Sequence, residues 1–263
     1  MGSAPSTCGV SVHHFHIIAE LARVFDHSLT RSSVCQFIVA DCSNCTICLL
    51  LTYLPAGVIR KGYRDSGWTT FEKISSELIS DDEKVLDMEY LKDEPLDDLV
   101  DEDALAAKAK GHRGLPLTKE RFKGVIGSKT FTNDADIDMV IKIYERTYDS
   151  VVTPIPRFKL DNMPHISSEE WDSFFTEVLP GCAKVEFLSL SNNKACKVDI
   201  KIFRQLPNLK QLFLDGSGAF GAAEDFATGF PKLEHLEFHN CPDITNDGIE
   251  KLTEALPMCS INH

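Results

Sequence analysis

The sequence predicts an α/β protein, and three observations carry that prediction. An apolar pattern returns at a fixed interval in the C-terminal third, each return joins a period-two stretch to one of period three to four, and the composition is that of a folded chain, 43% hydrophobic and 25% charged. Together they describe a short solenoid of three to four strand-helix tiers. It is joined to a small α/β fragment on its N-terminal side whose strand complement reads as incomplete. The 263 residues divide into an unassigned segment over 1–44, the α/β fragment over 45–80, an acidic and helical connector over 81–160 and the repeat domain over 161–263.

The first segment carries little pattern. Met1-Gly2-Ser3-Ala4-Pro5-Ser6 fits the N-myristoylation signal, with Gly2 as acceptor and Cys8 available for a second chain. Membrane attachment is expected only by that route, because the longest apolar run, Thr46 to Val58, is too short for a bilayer and holds Pro55 and Gly57. No basic stretch followed by an apolar one opens the chain, and the nine cysteines are an odd number. Reduced thiols and a cytoplasmic location follow. Cys42, Cys45 and Cys48 make a Cys-x-x-Cys-x-x-Cys run, but the fourth cysteine of a ferredoxin-type cluster is replaced by Thr52, so no metal or cofactor is expected there.

In the second segment, Thr46 to Leu54 suits a buried strand, and a helix starting near Thr69 or Thr70 ends over Ser75 to Ile79. Between them lies Tyr63-Arg64-Asp65-Ser66-Gly67-Trp68-Thr69-Thr70-Phe71-Glu72. On the residues alone, Trp68 and Phe71 belong in a core and Glu72 in a first helical turn. The run resembles the TIR motif Tyr-x-x-Ser-x-Trp-x-x-x-Glu, and it is similar to a Gly-Trp-x-x-Phe-Glu module of uncharacterised protist proteins. The TIR resemblance implies a flavodoxin-like fold and makes Glu72 the catalytic carboxylate of an NAD-cleaving hydrolase, with Trp68 packing the helix start. The chemistry is intelligible, since a carboxylate stabilises the oxocarbenium-like state of glycosidic cleavage.

The connector opens on a strongly acidic run. Between Asp81 and Asp103 twelve acids face only Lys84 and Lys92, a net of −10 out of the chain's −13. No clustered basic surface is visible, so nucleic acid is not an expected partner. Asn133-Asp134 caps a helix bearing Asp138, Ile141, Tyr144 and Glu145, and Pro154 with Pro156 ends it. Asp134, Asp136, Asp138 and Glu145 match calcium-loop positions, but Met139 stands where the turn glycine is required.

In the last segment Val185, Leu188 and Leu190 are followed 24 residues later by Leu209, Leu212 and Leu214, and 24 later again by Leu233, Leu236 and Phe238. Asn193, Ser217 and Cys241 close the three sets. The alternating pairs predict strands, and the sets Ile200, Phe203, Leu206; Phe226, Phe230; and Ile249, Leu252, Leu256 predict a helix behind each. Ser167 and Glu170 stand in capping-box positions for a preceding helix with Trp171, Phe174, Phe175 and Val178 on one face. Gly216-Ser217-Gly218-Ala219-Phe220-Gly221 fits Gly-x-Gly-x-x-Gly, and its place inside a repeat makes it a repeat loop.

These spacings approximate Leu-x-x-Leu-x-Leu-x-x-(Asn/Cys), which resembles the leucine-rich repeat family, and the Cys241 repeat resembles its cysteine-containing subtype. At constant period the outward residues fall in columns: Phe187, Gln211, His235; Ser189, Phe213, Glu237; and Ser191, Asp215, His239. Phe187 and Phe213 among polar neighbours suit a protein or peptide contact, or packing beneath another part of the chain. The expected function is intracellular protein recognition through this face. The alternatives are the NAD-cleaving hydrolase using Glu72 and, from the cysteine-type repeat, a substrate adaptor of a ubiquitin ligase.

Overall fold

The computed structural model describes residues 47–49, 65–78, 85–87, 90, 107–245 and 249–263, and the chain falls into two units. The first comprises Met1–Tyr63 and Glu83–Gly111. Its described residues include two parallel strands, β1 (Ile47–Leu49) and β2 (Val85–Asp87), with Ile47 opposite Val85. On the other side of β2, Asp87 N donates to Ala109 O (2.6 Å) and Gly111 N to Val85 O (2.8 Å). Gly2, the three clustered cysteines except Cys48, and Tyr63 lie outside the described residues.

The second unit, Arg64–Asp82 with His112–His263, is a mixed α/β body around one core. Helix α1 (Gly67–Glu77) begins at a glycine because nothing larger fits: a Cβ on Gly67 would lie 2.0 Å from the Phe131 ring. Helix α2 (Lys119–Gly127) starts where Thr118 Oγ1 accepts from Arg121 N (3.2 Å), and α3 (Ala135–Val151) where Asn133 Oδ1 accepts from Ala135 N (3.3 Å). The three helices meet through rings. Trp68 stands edge-on to Phe71 and Phe131, Phe71 edge-on to Phe122, and Phe122 stacks on Tyr144 at 3.8 Å.

The main sheet is parallel throughout, in the order β3 (Arg157–Lys159), β4 (Phe187–Ser189), β5 (Gln211–Phe213), β7 (His235–Glu237) and β9 (Ser260–Asn262). The short strands β6 (Gly221–Ala222) and β8 (Ile244–Thr245) pair with each other. Register places Arg157, Phe187, Gln211, His235 and Ser260 side by side, so successive rows lie 30, 24, 24 and 25 residues apart. Leu188, Leu190, Leu212, Leu214, Leu236 and Phe238 point into the core. Each row then turns at a left-handed residue, Asn162, Asn192, Gly216 and Asn240, with φ between 54° and 64°. Asparagine and glycine are the residues that tolerate this conformation most readily.

The returning segments are α4 (Ser168–Ser173), which runs on through one π-helical turn, 3₁₀ helices over Ile200–Gln205 and Ala223–Ala227, and α5 (Ile249–Ala255). The Ser167–Glu170 capping box forms in both directions, at 3.2 and 2.8 Å. Of the helices expected behind the strands, the two middle ones are 3₁₀ rather than α. These segments have only six and five residues, and Pro207 stands two residues after the end of the first, so the tighter 3₁₀ spiral is used.

At β3 the buried Arg113 donates from Nη2 to Lys159 O (3.2 Å). Among the described residues, no helix is long and apolar enough to cross a membrane.

Candidate binding face

The pleat decides which side chains leave the core. Phe158 and Leu160 are buried on β3, as are their counterparts on the next three strands, so the alternate residues form a grid on the other side. The three expected columns all lie in register, and the structure adds a row at each end: Arg157, Lys159 and Asp161 before β4, and Ser260 with Asn262 after β7. The early row carries a signal in the sequence. Phe158, Leu160 and Asn162 repeat the spacing of Leu188, Leu190 and Asn192, but at 30 residues rather than 24.

Phe187 and Phe213 are half-buried and lie against each other. Their rings are 5.2 Å apart, Phe213 is 5.0 Å from the His235 ring, and the Arg157 guanidinium sits 3.5 Å over Phe187. A stripe of one cation and three rings, stepping aside by two residues at Phe213, therefore crosses four strands. Of the remaining expected positions, Ser189 is buried, His239 is exposed, and Ser191, Gln211, Asp215 and Glu237 are intermediate.

The carboxylates around the stripe are held by the protein itself. Asp161 accepts from the Ser189 hydroxyl and from Ser191 N (3.0 Å), and Asp215 from His239 N (2.7 Å) with His239 Nδ1 at 3.4 Å. Glu237 Oε1 meets His235 Nε2 at 2.7 Å and Asn262 Nδ2 at 3.1 Å. Partial burial works to raise the Glu237 carboxyl, but the bonds from His235 and Asn262 outweigh it and hold the group below the usual carboxylate range.

At two of the turns a polar side chain ties one row to the one before, while Ser217 at the turn between them meets Cys241 Sγ of the next row. Asn193 Nδ2 donates to Leu160 O (2.5 Å) and Leu190 O (2.9 Å) while its Oδ1 accepts from Met163 N (2.7 Å); Cys241 Sγ donates to Leu214 O (2.9 Å). The glycine-rich run is built into the same stacking. Gly216 N, Gly218 N and Gly221 N donate to His239 O, Asn193 O and Asp243 O, so these amides are spent on neighbouring rows and none is left to cradle a pyrophosphate.

Glu72 lies midway along α1, half-buried, with its carboxyl raised by burial and with no hydrogen bond or ion pair among the described residues. Its motif neighbours are committed to packing: Trp68 Nε1 donates to Asp136 Oδ2 (3.1 Å), and Phe71 belongs to the ring cluster. Asp134, Asp136, Asp138 and Glu145 ride on the capped start and body of α3, and among the described residues no three His, Cys, Asp or Glu side chains gather as a metal-binding group.

Compared with known proteins, the chain matches no family profile and no curated sequence. Among solved structures it is similar to a leucine-rich-repeat protein of Leptospira interrogans, at 28% sequence identity over 32% of this chain and 21% of that one, with a TM-score of 0.28. The chain thus matches about a fifth of that protein's length.

Proposed function

We propose that residues 157–263 are a short leucine-rich-repeat solenoid whose strand face binds a protein or peptide. The observation that carries the reading is the stripe Phe187, Phe213 and His235, with half-buried rings stepped across a parallel sheet whose other outward positions are polar. Aromatic rings fixed by a rigid sheet offer a large contact area at little cost in side-chain entropy. Repeat character is supported by the two 24-residue intervals, by the left-handed residue at the same place in four rows, and by the turn residues that bond back to the preceding row. The deeply buried free thiols of Cys182, Cys196 and Cys241 fit the reducing cytoplasm expected from the cysteine count.

A displayed peptide library panned on the full chain tests this, with Phe187→Ser/Phe213→Ser as the counter-target and circular dichroism confirming that both proteins are folded. Peptides retained by the parent and lost by the double variant are the expected result. A library that yields no peptide distinguishing the two proteins would defeat the reading. Neither the NAD-cleaving nor the ubiquitin-ligase alternative has a comparable observation behind it, since the aromatic residues beside Glu72 serve to pack α1.

A further inference from the structure

We propose that the strand face selects a peptide segment in which an Asp or Glu side chain adjoins an apolar or aromatic one, the carboxylate going to Arg157 and Lys159 and the apolar group to Phe187 and Phe213. This rests on the recognition reading above and names the chemistry of the partner.

The argument is one of unspent charge. Every carboxylate of the grid is engaged within the protein, Asp161 by Ser189 and Ser191, Asp215 by His239, and Glu237 by His235 and Asn262. The two cations are not. Arg157 and Lys159 are both exposed, stand on the same side of β3, and have no ion-pair partner among the described residues. Contact with Phe187 at 3.5 Å holds the exposed Arg157 guanidinium on the ring, and a guanidinium can stack on an aromatic face while its N–H groups make forked contact with a carboxylate.

An incoming basic group would have to displace bonds already made; an incoming acid completes bonds that are missing. The chain's net charge of −13 is unevenly spread along the sequence: the run from Asp81 to Asp103 holds −10 of it, which leaves −3 for the other residues. Because the cation pair lies beside the first ring of the stripe, acid and apolar group must be close together on the ligand. A peptide bearing only one of them engages half the site.

Fluorescence polarisation with the full chain tests the proposal, using three sets of labelled synthetic peptides in which one aromatic residue is flanked by Asp and Glu, by Ser, or by Lys. The acidic set should bind at least about tenfold more tightly than the serine set, a difference of about 1.4 kcal/mol. Arg157→Ser/Lys159→Ser should abolish that preference, and Arg157→Glu/Lys159→Glu should transfer it to the lysine set, with unchanged melting temperatures showing that both variants fold. If the serine or lysine peptides bind as well as the acidic ones, and lose binding with Phe213→Ser, recognition by the face stands and the acidic specificity falls. If no set responds to Phe213→Ser, both readings fall. Equal displacement by a short deoxythymidine oligomer would overturn the proposal in favour of general anion attraction. A solution mass that doubles and reverts in the double serine variant would overturn it in favour of a second copy of the chain.

Discussion

Asn193 is buried and uses both ends of its amide, bonding one backbone N–H and two carbonyls from two rows. Removing the amide leaves those groups without partners in a dry interior, where each orphan costs about 1–3 kcal/mol. Asn193→Ala is therefore expected to destabilise the protein by about 3–4 kcal/mol in urea unfolding; a loss within the range of an ordinary surface substitution would contradict this assignment. Glu77 is also buried, and here the effect depends on pH. Desolvation raises its carboxyl above the ordinary 4.5, and Lys73, Gly114 and Arg113 offset only part of the rise. Below that value the side chain is protonated folded or unfolded and costs nothing. As pH climbs toward the raised folded value the unfolded chain releases its proton first, so stability falls and then levels off. Glu77→Gln should accordingly be more stable than the parent at neutral pH, and the difference should vanish in acid. A gap that widens on acidification would reverse the sign of the argument.

At the level of elements, glycines separate two kinds of constraint. A Cβ on Gly218 would stand 2.5 Å from Lys194 O and 3.0 Å from Cys196 O, both backbone atoms of the preceding row, whereas Gly124 in α2 has nothing within 4 Å. Gly218→Ala should lower the melting temperature by several degrees, while Gly124→Ala should raise stability by about 0.5–1 kcal/mol through helix propensity. Paired thermal melts check both, and a neutral Gly218→Ala would show that the rows can move apart. The same elements mark where sequence patterns are readable. β4, β5 and β7 stand out because their leucines repeat at a constant 24, and the columns of the face follow by arithmetic. β3 is hidden by its interval of 30 and by Pro154 and Pro156 just before it, which read as the end of structure. β9 offers only Ile261 as an apolar mark, 25 residues after Leu236. The omission matters to the site, because Arg157 and Lys159 belong to the row that was not visible. Helix type was also illegible: period three to four does not separate an α-helix from a short 3₁₀ turn.

In the second unit as a whole, buried residues from Leu78 to Leu252 form one continuous cluster in which the ring-packed helices and the stacked strands share a core. Both tryptophans, Trp68 and Trp171, belong to this unit, so their fluorescence reports on it alone. Phe122→Ala in α2 and Leu236→Ala in β7 should each shift one and the same fluorescence transition, at costs of about 3–5 and 2–5 kcal/mol. Two transitions, each moved by only one of the substitutions, would mean that helices and strands unfold separately. The row-by-row layout has a mechanical side as well. Because every strand of the main sheet is short and all are parallel, the backbone hydrogen bonds between rows, such as Leu190 N to Phe213 O and Leu214 N to Glu237 O, point from one row to the next. A load applied between the first row and the last would stretch these bonds along their own length, a few at a time. The sheet would open like a zipper at low force, in contrast to a pair of long strands pulled lengthwise, where all the bonds must shear together.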